Sequence, residues 1–204
     1  MVEQEIKRHL QTVEKLLHTL SDDIAQGCET VQKTLANNHK ILLIGNGGSA
    51  ADAQHIATEM ICRYKTTRPA LPAIALENNG ALLTAIGNDL GFGNIFSRQI
   101  EALAQKGDLL IAISTGGESE NILAAIQTAK KLGCSTLGLG GKNGGKMQTL
   151  CDHTIISPFW SIPKEKILPN TKVQHSSRRI KKRQLRQPVS HSTPIRISTK
   201  PGYS

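Results

Sequence analysis

Residues Ile41 to Ser49, ILLIGNGGS, constrain this chain more than any other stretch, and they run directly into an alanine-rich segment, Ala50 to Glu59. Four consecutive apolar residues predict a strand buried on both faces. The Gly45-Asn46-Gly47-Gly48 turn supplies backbone freedom that a Cβ would deny, and Ser49 is placed to cap the helix that follows. A glycine turn feeding a helix N-terminus leaves N–H groups pointing outward with no side chain in the way, which suits close approach of a phosphate. Tight turns of this kind also arise for purely structural reasons, so the helix behind this one matters. His55 and Glu59 are four residues apart there, about 40° around a helix, and share a face. An imidazole and a carboxylate so placed can share a divalent metal or the two ends of a proton transfer. The same spacing also makes an ordinary polar pair on a solvated face.

At 204 residues the chain fits one domain with a sizeable core. No apolar run approaches the roughly 20 residues needed to span a bilayer, and the N-terminus is a charged amphipathic helix, so a cytoplasmic location and no membrane partner are expected. Cys28, Cys62, Cys134 and Cys151 are widely spaced and contain no CxxC pair, which argues against a disulfide framework or a cysteine zinc site and predicts mostly buried thiols. The net charge of +9 is uneven: residues 1–158 hold 14 Lys and Arg against 15 Asp and Glu, whereas residues 159–204 hold 11 against 1. The basicity belongs to the tail and does not make the folded part a nucleic-acid binder.

Val2, Ile6, Leu10, Val13, Leu16, Leu17 and Leu20 recur at three and four and mark a long amphipathic helix. Ser21-Asp22-Asp23 is placed to cap a second, carrying Ile24, Cys28, Val31 and Leu35. Their apolar faces can pack against a second subunit or, equally on pattern alone, within the chain. Beyond the opening strand and helix, strands are expected at Pro72 to Leu76, Leu109 to Ile113, Ser135 to Leu139 and Thr154 to Ile156. Helices are expected at Asn79 to Ile86, Ile95 to Leu103 and Asn121 to Lys131, with a glycine-rich connection from Gly138 to Gly145. Alternating strands and helices give an α/β fold: a three-layer, five-stranded parallel sheet flanked by helices and preceded by two N-terminal helices. In such sheets ligands collect at the strand C-termini, so the turn after Ile44 and the polar turn Ser114-Thr115-Gly116-Gly117-Glu118-Ser119 fall on one edge. Hydroxyls of Ser114, Thr115 and Ser119 can donate to phosphate oxygens without adding charge; a plain Ser/Thr helix cap is the competing reading.

These residues resemble the sugar isomerase (SIS) domain family and, within it, the phosphoheptose isomerases. The resemblance rests on Gly45-Asn46-Gly47-Gly48-Ser49, the His55 to Glu59 helix, Gly87-Asn88-Asp89, Phe96-Ser97-Arg98-Gln99, Ile113-Ser114-Thr115 and Gly141-Lys142-Asn143-Gly144-Gly145, within residues 1–158. It implies an aldose-ketose isomerase converting sedoheptulose 7-phosphate to D-glycero-D-manno-heptose 7-phosphate for surface polysaccharide, working as a homotetramer with sites between subunits. It also implies that Asn46, Gly47, Gly48, Glu59, Asn88, Asp89, Ser114, Thr115 and Ser119 bind substrate. By the same resemblance His55 and Glu59 ligate zinc, and Glu59 is the catalytic base. A related reading from another class is a non-catalytic sugar-phosphate-binding or replication-initiator-associating regulatory module.

Two departures from the pattern stand out. Gly116 occupies a position where the family usually has a third serine. After Pro158 the family continues into a helix of the form Arg-Ile-Gln-Glu-x-His, whose glutamine and a later histidine complete the metal site and supply the second acid/base. Here six prolines from Pro158 to Pro201 and the basic run Arg178 to Arg186 predict a disordered tail, residues 159–204, and poor metal affinity and turnover. A shift of one base near the codon for Pro158 would account for the tail's excess of proline, serine and arginine. Pro169-Asn170-Thr171-Lys172 can be encoded so that a one-base shift gives Arg-Ile-Gln, although the motif's Glu and ligand His are not recovered.

Overall fold

The computed structural model describes residues 2–157. The readings made for the tail lie outside the described residues. Two helices, α1 (Val2–Thr19) and α2 (Ser21–Ala36), precede β1 (Ile41–Gly45) and α3 (Gly48–Ile61). The chain continues through β2 (Ala73–Ala75), α4 (Gly80–Asp89), a single 3₁₀ turn at Phe92–Asn94, α5 (Ser97–Leu103), β3 (Leu109–Ser114) and α6 (Glu120–Lys131). It ends in β4 (Ser135–Gly141), α7 (Gly145–Leu150) and β5 (His153–Ser157). All pairings are parallel, in the order β2-β1-β3-β4-β5. The strand order reverses between β1 and β3, where a doubly wound sheet opens a crevice beyond its strand C-termini.

Alternate residues of each central strand enter opposite layers, as the pleat requires. Leu42, Ile44, Leu110 and Ala112 pack with Ile100 of α5 and Ile122, Ala125, Ile126 and Ala129 of α6. Ile41, Leu43, Ile111 and Ile113 pack with Ala53 and Ala57 of α3. Small alanines let α3 lie close to the sheet and carry its N-terminus to the crevice. In α6 the buried residues recur at three and four, Glu120 opens the helix, and Lys130 and Lys131 close it against the dipole.

Four expectations are corrected. Ser49 does not cap α3: the helix begins at Gly48, Gly47 is the capping residue at φ 58°, and no side chain caps it. The tight turn uses the backbone instead, with the Ser49 N–H donated to the Asn46 carbonyl at 3.1 Å. The Ser21 hydroxyl likewise donates back to the Leu17 carbonyl, and Leu20 occupies the α2 cap with no side-chain bond. Of the four thiols only Cys134 and Cys151 are buried; Cys28 and Cys62 are exposed.

The last correction concerns the stretch 138–145. Its first four residues belong to β4, and α7 starts at its end. A Cβ at Gly138 would meet Thr154, Cys151 and Met147 at 3.0 to 3.2 Å, so the glycine is there to let α7 and β5 close on the strand.

Along α1, Val2, Ile6, Leu10, Val13 and Leu17 are each at least half exposed, so the apolar stripe is not absorbed within the described chain.

Candidate functional site

Two turns flank the crevice. The first, Gly45 to Gly48, hands β1 to α3; no side chain caps the helix, and the N–H groups of Ser49, Ala50 and Ala51 turn back onto the Asn46 and Gly47 carbonyls at 3.1 to 3.3 Å. The second runs from Ser114 to Ser119. Ser114 is buried and its hydroxyl accepts the Gly117 N–H at 3.2 Å, leaving the O–H proton to be donated outward. Ser119 caps α6 through its backbone, and its hydroxyl makes no cap bond. Thr115 accepts the Gly141 N–H at 3.2 Å on its carbonyl, and Gly117 accepts the Met147 N–H at 3.0 Å. These bonds tie the second turn to the α7 end of the sheet. Gly117 sits at φ +65°, and a Cβ there would lie 1.8 Å from the Gly144 carbonyl oxygen, so no other residue fits. The Lys146 backbone N–H at 2.9 Å and its ammonium at 3.2 Å bond Glu118 and hold its carboxyl below the usual range.

One pair of side chains joins the first turn to the start of α6, just beyond the second turn. Asn46 Nδ2 donates to Asn121 Oδ1 at 3.0 Å, and Asn121 Nδ2 donates to Asn46 Oδ1 at 2.9 Å. A cavity of about 510 Å³ is lined by Ser49, Asp52 and His55 of α3, by Thr115 and Gly140 and, from the N-terminal segment, by Leu16 and Leu20 among others. The structure therefore brings Ser49, His55 and Thr115 to one space.

It does not bring every expected residue there. Glu59 is not part of that lining; it stands eleven residues beyond Gly48, about 16 Å along the helix axis at 1.5 Å per residue. Asn88 and Asp89 end α4 on the opposite layer, where the Asn88 amide donates to the Asp89 carboxylate at 2.7 Å and Asp89 faces a separate groove with Arg98. Glu59, Asn88 and Asp89 are thus not among the residues that line the cavity with Thr115 of the second turn.

His55 Nε2 lies 3.4 Å from Glu59 Oε1, with His55 side chain 74% exposed and Glu59 35%. Glu59 Oε2 is buried and has no hydrogen-bond partner among the described residues. An imidazole and a half-orphaned carboxylate on one helix face fit a divalent cation such as zinc in donor type and separation. They do not fit it in number: among the described residues no third His, Cys, Asp or Glu joins them, and catalytic zinc sites ordinarily use three protein ligands.

The SIS domain family model matches residues 5–141. A phosphoheptose isomerase of Nitratiruptor sp. is 52% identical over 163 residues, which are 80% of this chain and 87% of that protein. That of Aliarcobacter butzleri is 50% identical over 161 residues, 79% of this chain and 85% of its own length. The chain belongs to the SIS domain family, among the phosphoheptose isomerases. The solved phosphoheptose isomerase of Francisella tularensis superposes with a TM-score of 0.76 at 35% identity, covering 79% of this chain and 86% of the other. That of Neisseria gonorrhoeae gives 0.72 at 35% identity, covering 79% and 89%.

Within this phosphoheptose isomerase chain, three residues at the crevice escape motif reading. Asn121 sits on the buried stripe of α6 with Ile122 and Ala125; a polar residue at a core position was the available signal. Glu77 follows the apolar run of β2 and accepts the Gly45 N–H; burial pushes its carboxyl up to about 7 despite backbone hydrogen bonds that pull it down. Asp52, the fifth residue of α3, lines the cavity between Ser49 and His55, and nothing in its spacing marks it.

Proposed function

We infer that this chain is an aldose-ketose isomerase of heptose 7-phosphates, interconverting sedoheptulose 7-phosphate and D-glycero-D-manno-heptose 7-phosphate in the supply of heptose for surface polysaccharide. The observation that carries the reading is the pair of anion-type turns at the β1/β3 switch point, in a chain about 50% identical to phosphoheptose isomerases. Ser114, Thr115 and Ser119 hold the phosphate with hydroxyls and the α6 N-terminus, and Asn46, Gly47 and Gly48 hold the sugar from the first turn. Asn88 and Asp89 take further hydroxyls.

Moving a proton between adjacent sugar carbons needs a carboxylate alongside them. Glu59 is that base, and its Oε2, without a partner among the described residues, is the lone pair available. His55 and Glu59 are the residues that would hold zinc, a Lewis acid for a sugar oxygen when bound. Two donors bind a metal weakly, so further ligands come from outside residues 2–157 or from another subunit. Glu59, Asn88 and Asp89 do not line the cavity with Thr115 of their own chain, and in this reading they serve the turn of a neighbour. A homotetramer with shared sites meets that need, and the exposed stripe of α1 supplies apolar surface for it. No helix of the described residues is long and apolar enough to cross a membrane, in keeping with a cytoplasmic enzyme.

The incomplete donor set favours one second reading, a sugar-phosphate-binding module of regulatory or partner-binding function that no longer turns over. A coupled isomerase assay on the full chain, with and without added zinc, separates the two. Turnover that Glu59→Gln abolishes while thermal stabilisation by heptose 7-phosphate survives supports the isomerase. Stabilisation without turnover in the native chain under every metal condition supports the module, and neither stabilisation nor turnover in folded protein refutes both.

A further inference from the structure

We propose that Asn121 is a positioning residue for the substrate: through its reciprocal amide pair with Asn46 it fixes the span between the turn that holds the sugar and the turn that holds the phosphate. The inference rests on the reading of the two turns given above. Asn121 is only 3% exposed and occupies the core-facing stripe of α6, where a polar side chain is costly unless its groups are bonded. Its Oδ1 accepts from Asn46 Nδ2 and from the Ile122 N–H, each at 3.0 Å, and its Nδ2 donates to Asn46 Oδ1 at 2.9 Å. Among the described residues no other side-chain hydrogen bond joins the first turn to the start of α6.

The direction of this bonding changes what Asn46 can do. With its carbonyl and one of its two amide protons committed to Asn121, Asn46 keeps one amide proton for the sugar and with the rest ties the first turn to α6. The second turn is anchored separately to the α7 end of the sheet by Thr115, Gly117 and Glu118. The first turn, held at Gly45 by its pairing with Ile113 and by Glu77, is thereby tied at Asn46 as well to the start of α6, which the second turn leads into, so that the asparagine pair sets how far the Asn46 side of the crevice stands from that helix start. A substrate held at both ends by such turns depends on that distance.

The pair needs a donor and an acceptor on each side. An ionised carboxylate at either position would set two acceptor oxygens against each other, whereas a protonated one restores both bonds. The test is Asn121→Asp in the full chain, with KM and kcat for heptose 7-phosphate followed from pH 5.5 to 8.5 against the unsubstituted protein, and unfolding midpoints taken at each pH. The expected result is a KM about tenfold above the unsubstituted value at pH 8.5, with a smaller change in kcat, recovering to within about twofold at pH 5.5. A folded variant whose KM follows the unsubstituted protein at every pH overturns the proposal.

Should Asn121→Asp unfold at high pH, Asn46→Asp breaks the same pair from its half-buried side. Recovery at low pH supports the proposal there too, and loss without recovery overturns it. If the unsubstituted chain neither binds nor converts the sugar phosphate, the functional reading falls and takes this inference with it. If it does both and only the variants are flat with pH, the inference alone falls.

Discussion

The N–H of Gly45, the last residue of β1, is donated to the carboxylate of Glu77, which thereby extends the β1·β2 ladder one step beyond the three-residue strand β2. Its other oxygen is buried without a partner among the described residues. Burial outweighs the backbone hydrogen bonds and lifts the carboxyl to about 7. No titratable group lies on β1. Asp52, His55 and Glu59 of α3 and Asp89 of α4 form no hydrogen bond or ion pair with Glu77 in the described structure.

A native carboxyl titrating above its unfolded value binds more protons folded than unfolded. Its favourable contribution is complete below about 4.5 and is lost as pH rises through about 7. Allowing for the half-buried position, the loss is on the order of 1–2 kcal/mol. Glu77→Gln keeps the acceptor for Gly45 and stays neutral throughout. It should match the unsubstituted protein near pH 5 and exceed it in unfolding midpoint by several degrees at pH 8. Parallel midpoint curves across that range would show that Glu77 is ionised throughout.

The two glycines of the second turn make opposite predictions. A Cβ on Gly116 meets nothing within 4 Å, and its backbone is not in the left-handed region, whereas Gly117 has neither freedom. Gly116→Ser should therefore fold normally and add a hydroxyl to the phosphate turn, tightening heptose 7-phosphate binding by about three- to tenfold, the range of one net hydrogen bond. Gly117→Ala should lose several kcal/mol, since both the conformation and the close approach to Gly144 oppose it. Thermal unfolding with and without ligand measures both. Weaker binding in folded Gly116→Ser would mean that the phosphate does not sit at this turn.

The layers of this fold were legible because β1 and β3 are unbroken apolar runs and α6 repeats at three and four. Those are local patterns. What escaped was set by contacts between distant parts of the chain. The pairing of Asn46 with Asn121 joins residues 75 apart, and Glu77 reaches back 32 residues to Gly45. Ser49 lost its expected capping role because Gly47 adopts positive φ and starts the helix early. The motif residues Asn88, Asp89 and Glu59 were recognisable by type, but that Glu59 stands at the far end of α3 and Asp89 faces a separate groove is set by helix length and packing, which residue type alone does not show.

That separation makes assembly testable. If sites are shared between subunits, breaking the association should abolish turnover without unfolding the chain. Leu10→Glu with Leu17→Glu places charges on an exposed apolar stripe, where neither side chain contributes to the core. Sedimentation should show a smaller species, circular dichroism should be unchanged, and isomerase activity should fall by at least about tenfold, because catalysis depends on groups held in register. A doubly substituted protein that remains the size of the native assembly, or a monomer with full activity, contradicts the shared-site reading.

The tail yields the last prediction. Matches to phosphoheptose isomerases span 161 and 163 residues, leaving about a fifth of this chain and part of each relative unmatched. The unmatched composition, 11 basic residues against 1 acidic in residues 159–204, with prolines throughout, has no helical periodicity. We propose that the reading frame shifts by one base near the codon for Pro158 and that the other frame encodes a helix carrying Arg-Ile-Gln. Resequencing the gene should then reveal a continuous amphipathic helix in that frame, and restoring it should raise zinc affinity and turnover together, because His55 and Glu59 would gain the donors they lack. If no frame downstream of Pro158 encodes such a helix, the shift is refuted. If the restored protein binds zinc no more tightly than the present one, the missing donors of His55 and Glu59 must come from elsewhere.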